Sequence, residues 1–92
     1  MEIFITDEAK EQFRYWKKSG NKKSIQKIDN LLESISNSPY KGIGHPKPLC
    51  DDYAGCWSRK IDGKNRIVYR VDETKGVIYI YSVLGHYQRR VE

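Results

Sequence analysis

No run of apolar residues in this 92-residue chain approaches the ~20 that a membrane-spanning helix needs, so the sequence offers no candidate span. The opening MEIFITDEAK lacks the basic-then-apolar layout of a secretory leader, and the cytoplasm is the expected compartment, with no membrane partner. Cysteine is scarce. Cys50 and Cys56 stand six apart without the tight Cys-x-x-Cys pairs of structural zinc sites, and adding His45 and His86 supplies no better spacing. Two reduced thiols, no metal and no cofactor are therefore expected. Proline is confined to residues 39–48, which marks one loop and leaves the rest free for regular structure. Acidic residues are outnumbered, 12 against 17 Lys and Arg, and the net charge of +5 favours a polyanionic or acidic partner. Length excludes a second core, since each takes roughly 100 residues or more.

What is present reads as an α+β domain spanning 1–92. Residues 1–38 hold a short strand and two helices. Ile3 and Ile5 alternate onto one face, Thr6 or Asp7 offers an N-cap, and DEAKEQFRYWKKS follows as a helix with Ala9, Phe13 and Trp16 inward. After GNKK, Ile25, Ile28, Leu31, Leu32 and Ile35 keep helical spacing up to SNSP, and the two helices form an antiparallel hairpin. Residues 39–55 are a Pro/Gly loop, residues 56–87 are antiparallel strands, and 88–92 are a short tail. The strands CWSRKI, RIVYRVD and VIYIYSVL are separated by DGKN and ETKG, both with hairpin chemistry.

Hairpin parity then sorts the side chains. If Trp57, Ile61, Ile67, Tyr69 and Val71 share the core face, directly opposed residues must have an even sum. Ile61 opposite Ile67 meets this through the odd loop Gly63, Lys64, Asn65, with Gly or Asn in the left-handed conformation. Ser58, Lys60, Arg66 and Arg70 go to the other face, where three cations cluster. Arg59 falls on the core side and must reach an edge or a partner.

Near the end stand His86 and Tyr87, an imidazole beside a phenol. Cutting RNA without a metal takes a base for the 2′-OH proton, an acid for the 5′-oxygen, and cations for the crowded phosphorane between them. Arg66 and Lys60 suit the last task, and Arg66 can hold two phosphate oxygens at once. His86 carries the one imidazole of the C-terminal half, a group that titrates near neutrality, and Tyr87 can stack on an unpaired base or donate its hydroxyl. Each also has a plain reading: lone histidines are mostly surface or core residues, exposed cations form solvated faces, and Tyr69, Tyr79 and Tyr81 are a stripe of core and rim packing. Taken singly, none decides the matter.

Taken together, SPYKGIGHPKPL, GCWSRKIDGKNRIVYRV and the closing His-Tyr resemble the YoeB (Txe) branch of the RelE superfamily of bacterial toxins, over nearly the whole chain. The resemblance implies a microbial-ribonuclease-like fold, with a twisted antiparallel sheet beside two helices. It further implies a type II toxin that cleaves mRNA in the ribosomal A site. The implied partner is an acidic antitoxin of the YefM/Phd kind, which alone contacts operator DNA, and relatives often pair as dimers. Carried over by position, Arg66 matches the phosphate-stabilising arginine, Lys60 stands where a second arginine is usual, and His86 and Tyr87 match the catalytic pair. Arg59 and Arg70 join Lys60 as RNA-binding cations. The chain departs from the family in reading HPKPLC, so Lys47 replaces the glutamate taken as general base, and QRRVE follows the His-Tyr pair. Lys47 acts as base itself, or His86 takes over, or activity is weakened or lost. Two other readings stand beside this one: a non-catalytic basic module that occupies the ribosome or an acidic partner, and a ParE-like toxin that inhibits DNA gyrase.

Overall fold

The computed structural model describes residues 1–85. Thr6 settles the start of the first helix, because its Oγ1 accepts the N–H of Ala9 at 3.2 Å. Helix α1 spans Asp7–Ser19 and closes on Gly20 in the left-handed conformation at φ 71°. Helix α2 spans Lys22–Asn37 and starts earlier than the apolar spacing suggests. Its N-cap is Asn21, whose Oδ1 accepts the N–H of Ser24 at 3.0 Å, so Lys22 and Lys23 belong to the first turn.

The strands are β1 (Glu2–Ile5), β2 (Lys47–Pro48), β3 (Cys56–Lys60), β4 (Arg66–Asp72) and β5 (Val77–Ser82), and they form one sheet in the order β1-β5-β4-β3-β2. β2 through β5 pair antiparallel, whereas β1 lies parallel to β5. The parallel pair needs a long crossover, which the helical hairpin and the meander supply. The Pro/Gly loop is not wholly irregular, since it contributes β2 and a 3₁₀ turn at Asp51–Tyr53.

One sheet face carries the core. Ala9 and Trp16 of α1 and Ile28, Leu31 and Ile35 of α2 pack on Ile67, Tyr69, Ile78 and Ile80. Trp16 Nε1 donates to the Val83 carbonyl at 2.7 Å, and Gln12 Oε1 accepts the Val83 N–H at 2.7 Å, so α1 grips the end of β5 by polar contacts as well.

The β3–β4 hairpin keeps the expected parity in a different register. Lys60 faces Arg66 and Cys56 faces Arg70, two residues away from the pairing of Ile61 with Ile67. Asp62 explains the slip: its Oδ1 accepts the N–H groups of Lys64 and Asn65 at 2.7 and 2.8 Å, and the Ile61 N–H donates to the Asn65 carbonyl at 2.9 Å. That carboxylate closes the turn without the left-handed Gly63 or Asn65 that the sequence led us to expect. Even parity survives a two-residue shift, so each side chain keeps its face.

Arg59 is the main correction to the sequence reading. Instead of an RNA-binding cation at the surface it is a fully buried residue at 0% exposure. Its Nη1 donates to Ser34 Oγ at 2.7 Å and to the Ile43 carbonyl at 3.1 Å. Its Nη2 donates to the carbonyls of Ser38 at 2.5 Å and Lys41 at 3.1 Å, and its Nε to the Tyr69 hydroxyl at 3.2 Å. The guanidinium thus plugs the negative C-terminal end of α2 and ties it to β3. The tyrosine stripe divides between core and rim: Tyr69 is buried opposite Ile80, while Tyr79 and Tyr81 lie on the other face beside Arg70. No helix among the described residues is long and apolar enough to cross a membrane.

Candidate functional site

The sheet face turned away from the helices carries the charge. Register places Lys60 beside Arg66 on neighbouring strands, and Lys47 of β2 beside Ser58 and then Val68. One row further on, Cys56, Arg70, Tyr79 and Phe4 follow one another across β3, β4, β5 and β1. Lys47, Lys60 and Arg70 are exposed and Arg66 is half-buried. Among the described residues none of these four cations forms an ion pair. Like charges directly across a strand pair repel, so Lys60 facing Arg66 is a local cost that an anion lying between them would relieve.

The structure brings together Lys47, Lys60 and Arg66 as the sequence suggested, places Arg70 a row away, and withdraws Arg59 into the interior. His86 and Tyr87 lie outside the described residues. The chain leading to them is held firmly, since the Gly85 N–H donates to Asn65 Oδ1 at 2.7 Å and the Gly85 carbonyl accepts the Arg66 N–H at 3.0 Å.

Two features escaped the sequence reading. His45 was considered only as a metal ligand, yet it lines a cleft of about 240 Å³ with Lys27, Lys60 and Asp62. The Lys60 N–H donates to the Gly44 carbonyl at 2.7 Å, which lashes this loop to β3, and His45 itself sits at φ 54°. Gly44 is needed there, because a Cβ would stand 2.6 Å from Leu31 Cδ2. No periodicity links residues 45 and 60; the β2–β3 pairing and the Lys60–Gly44 bond bring them together. The second feature is an aromatic margin, in which Phe4 and Tyr79 meet edge to face at 5.7 Å and Arg70, Tyr79 and Tyr81 line a concavity of about 360 Å³.

Protonation follows local chemistry. Burial pushes the Cys56 thiol up, with the Arg70 charge opposing it only in part. Burial would raise Asp62 too, but the donors of Lys64 and Asn65, with the Lys64 charge, outweigh it and hold the carboxyl below the usual range. Tyr40 donates its hydroxyl to Glu73, and that bond, with burial and the Glu73 charge, lifts the phenol to about 12. None of these groups belongs to the Lys47–Lys60–Arg66 cluster.

A helical pair packed on one face of a five-stranded sheet is an architecture that solved structures already populate. The YoeB/ParE toxin from Agrobacterium tumefaciens superposes with a TM-score of 0.88 at 30% identity, covering 95% of this chain and 100% of that one. The Staphylococcus aureus YoeB–YefM complex matches with a TM-score of 0.80 at 36% identity, over 95% of this chain and 98% of the other. The dimer of S. aureus YoeB gives 0.81 at 35% identity with the same coverage. Among curated proteins, Toxin YoeB of Streptomyces coelicolor is 37% identical over 78 residues, 85% of this chain and 92% of that protein. Residues 5–87 match the family described as YoeB-like toxin of bacterial type II toxin–antitoxin system. The chain belongs to that family.

Proposed function

We propose that this toxin is a metal-independent endoribonuclease that cuts mRNA in the ribosomal A site. The observation that carries the proposal is the cationic cluster of Lys60, Arg66 and Lys47 on the sheet face away from the helices of a YoeB-family chain, without an ion pair among the described residues. Arg66 and Lys60 bind the non-bridging oxygens of the scissile phosphate and stabilise the charge that builds on them. The 2′-oxygen attacks phosphorus, its proton passes to a base, and the 5′-oxygen leaves with a proton from an acid. His86 and Tyr87 divide these proton transfers, and Lys47, where the family has a glutamate, reduces activity by supplying a cation in place of an acceptor. Arg70 adds a phosphate contact one row away.

The partners follow from the same charge. An acidic antitoxin of the YefM kind covers the basic face, as expected from a family in which the S. aureus toxin is seen with YefM. The toxin pairs as a homodimer, as S. aureus YoeB does. It acts in the cytoplasm on ribosomes and meets operator DNA only through the antitoxin.

The test is cleavage-site mapping by primer extension on a defined mRNA in a reconstituted translation reaction, with native protein, His86→Ala and Lys47→Glu. Cuts within the A-site codon, lost in His86→Ala and strengthened in Lys47→Glu, are expected. Ribosome binding without cuts from any of the three would instead establish the non-catalytic module; the His-Tyr pair and the WSRKI strand argue against the gyrase reading.

A further inference from the structure

Ser58 lies in the middle of the basic face and is the residue whose chemistry the cluster leaves unexplained. It is fully buried, at 0% exposure, and among the described residues its Oγ is the buried side-chain polar atom with no hydrogen-bond partner. Its surroundings say why. In register it stands between Lys47 of β2 and Val68 of β4, with Cys56 and Lys60 two residues away on the same face of its own strand. Its diagonal neighbours on β4 are Arg66 and Arg70. Lysine and arginine side chains only donate hydrogen bonds, valine offers nothing, and a thiol accepts weakly. Among the described residues these neighbours offer no acceptor for its hydrogen, and none of their donors reaches its oxygen.

An oxyanion placed between those cations is the acceptor that is missing. We propose that Ser58 is a phosphate-contacting residue of this toxin, its hydroxyl donating to a non-bridging oxygen of the RNA phosphate that Arg66 and Lys60 engage. The proposal rests on the ribonuclease reading above and adds a residue to that site. Contact with a phosphate requires the groups that cover Ser58 in the free protein to move aside, and the exposed Lys47 and Lys60 beside it have long side chains that can follow the anion. In the free protein the unpaired hydroxyl is a cost, because a buried polar group without a partner forfeits its hydration. Function and stability therefore pull Ser58 in opposite directions, and one substitution separates them.

The experiment compares native protein with Ser58→Ala and, as a position control on the same strand face, Cys56→Ala. Thermal melting is read first. Binding is then read by NMR titration at low salt with a short single-stranded RNA made uncleavable by a 2′-deoxy nucleotide, and cutting is read in the translation reaction. Ser58→Ala is expected to melt about 4–8 °C higher, because the orphaned hydroxyl is gone. It is also expected to bind the oligonucleotide, and to cut, about ten- to a hundredfold less well, the usual loss of one hydrogen bond to a charged group. Cys56→Ala is expected to keep both readouts within about twofold. Unchanged binding in Ser58→Ala overturns the proposal, and so does a lower melting temperature, which would show that the hydroxyl already has a partner in the free protein. Equal losses of binding in both variants also overturn it, because the effect would then belong to the strand and not to the hydroxyl. Native protein that binds the oligonucleotide and cuts nothing removes the ribonuclease reading and leaves the Ser58 contact standing.

Discussion

Replacing Arg59 by methionine, and separately by lysine, puts a number on the buried clamp. The guanidinium spends its donors on two hydroxyls, Ser34 and Tyr69, and three carbonyls, Ser38, Lys41 and Ile43. Among the described residues no carboxylate lies within ion-pair distance, so those five contacts and the end of α2 carry the burial of a full charge. Methionine fills much of the volume and removes the charge, which limits the loss to acceptors left unpaired. The Tyr69 hydroxyl still donates to the Pro39 carbonyl at 2.6 Å, and the carbonyls of Lys41 and Ile43 belong to exposed residues that water can reach. The cost of Arg59→Met is therefore about 2–4 kcal/mol, a large share of the roughly 5–14 kcal/mol that holds a domain of this size. At about 4–8 °C per kcal/mol the melting temperature falls by about 10–30 °C. Arg59→Lys keeps the desolvated charge with fewer and shorter-reaching donors, so it is expected to be at least as damaging as methionine. Urea unfolding followed by the fluorescence of Trp16 and Trp57 reads both variants. A lysine variant close to native stability beside a crippled methionine variant would refute this reasoning, because it would mean that charge alone, and not the set of directed bonds, is what the site requires.

Three further outcomes follow from named contacts. Gly42→Ala is expected to cost about 2–3 kcal/mol in the same urea assay, since Gly42 sits at φ 130° and its Cβ would stand 2.5 Å from Ser34 Oγ and 3.0 Å from Arg59 Nη1. Gly20→Ala, left-handed at φ 71° but with open space around it, should cost only about 1 kcal/mol, and equal costs would disprove the steric argument. Asp62 has its carboxyl held below the usual range, so its contribution is present above the ordinary carboxylate value of about 3.9 and is lost as pH falls through the lowered folded value. Asp62→Asn should therefore trail native protein by about 1 kcal/mol at pH 7 and converge with it in acid, whereas a gap independent of pH would show that the charge plays no part. With a thiol-specific reagent at pH 8, exposed Cys50 should react about tenfold faster or more than half-buried Cys56, whose thiol is pushed up by burial, and the reverse order would overturn that assignment.

Much of this architecture was legible because it is local. Helix α1 was readable to the residue from its N-cap, its acidic first turn and Gly20, all short-range signals. Alternation in β3 and β4 put Lys60 and Arg66 on one face and Arg59 on the other, and those sides hold. What alternation could not supply was the register, because Asp62 chose the turn by hydrogen bonds that any acidic residue in a loop could make or decline. The strand at Lys47–Pro48 was hidden by its proline and its length of two residues, and its partner β3 decides that it exists at all.

Arg59 shows why the candidate site was harder to read than the fold. Two signals met at that position. The strand period points inward and the charge points outward, toward a place among the RNA-binding cations. The period prevails because burial of a guanidinium needs acceptors, and the carbonyls at Ser38, Lys41 and Ile43 converge on it from the end of α2 and the loop beyond. No strand pattern encodes that convergence, since it joins residues 16 to 25 positions apart. Ser58 is the converse. Its neighbours on the open face are legible from alternation, but the absence of any acceptor among them is a property of three strands at once. A single strand therefore carries adjacent residues in opposite states: Arg59 finds every acceptor it needs within the fold, and Ser58 finds none among the described residues, which is the asymmetry expected where structure ends and ligand binding begins.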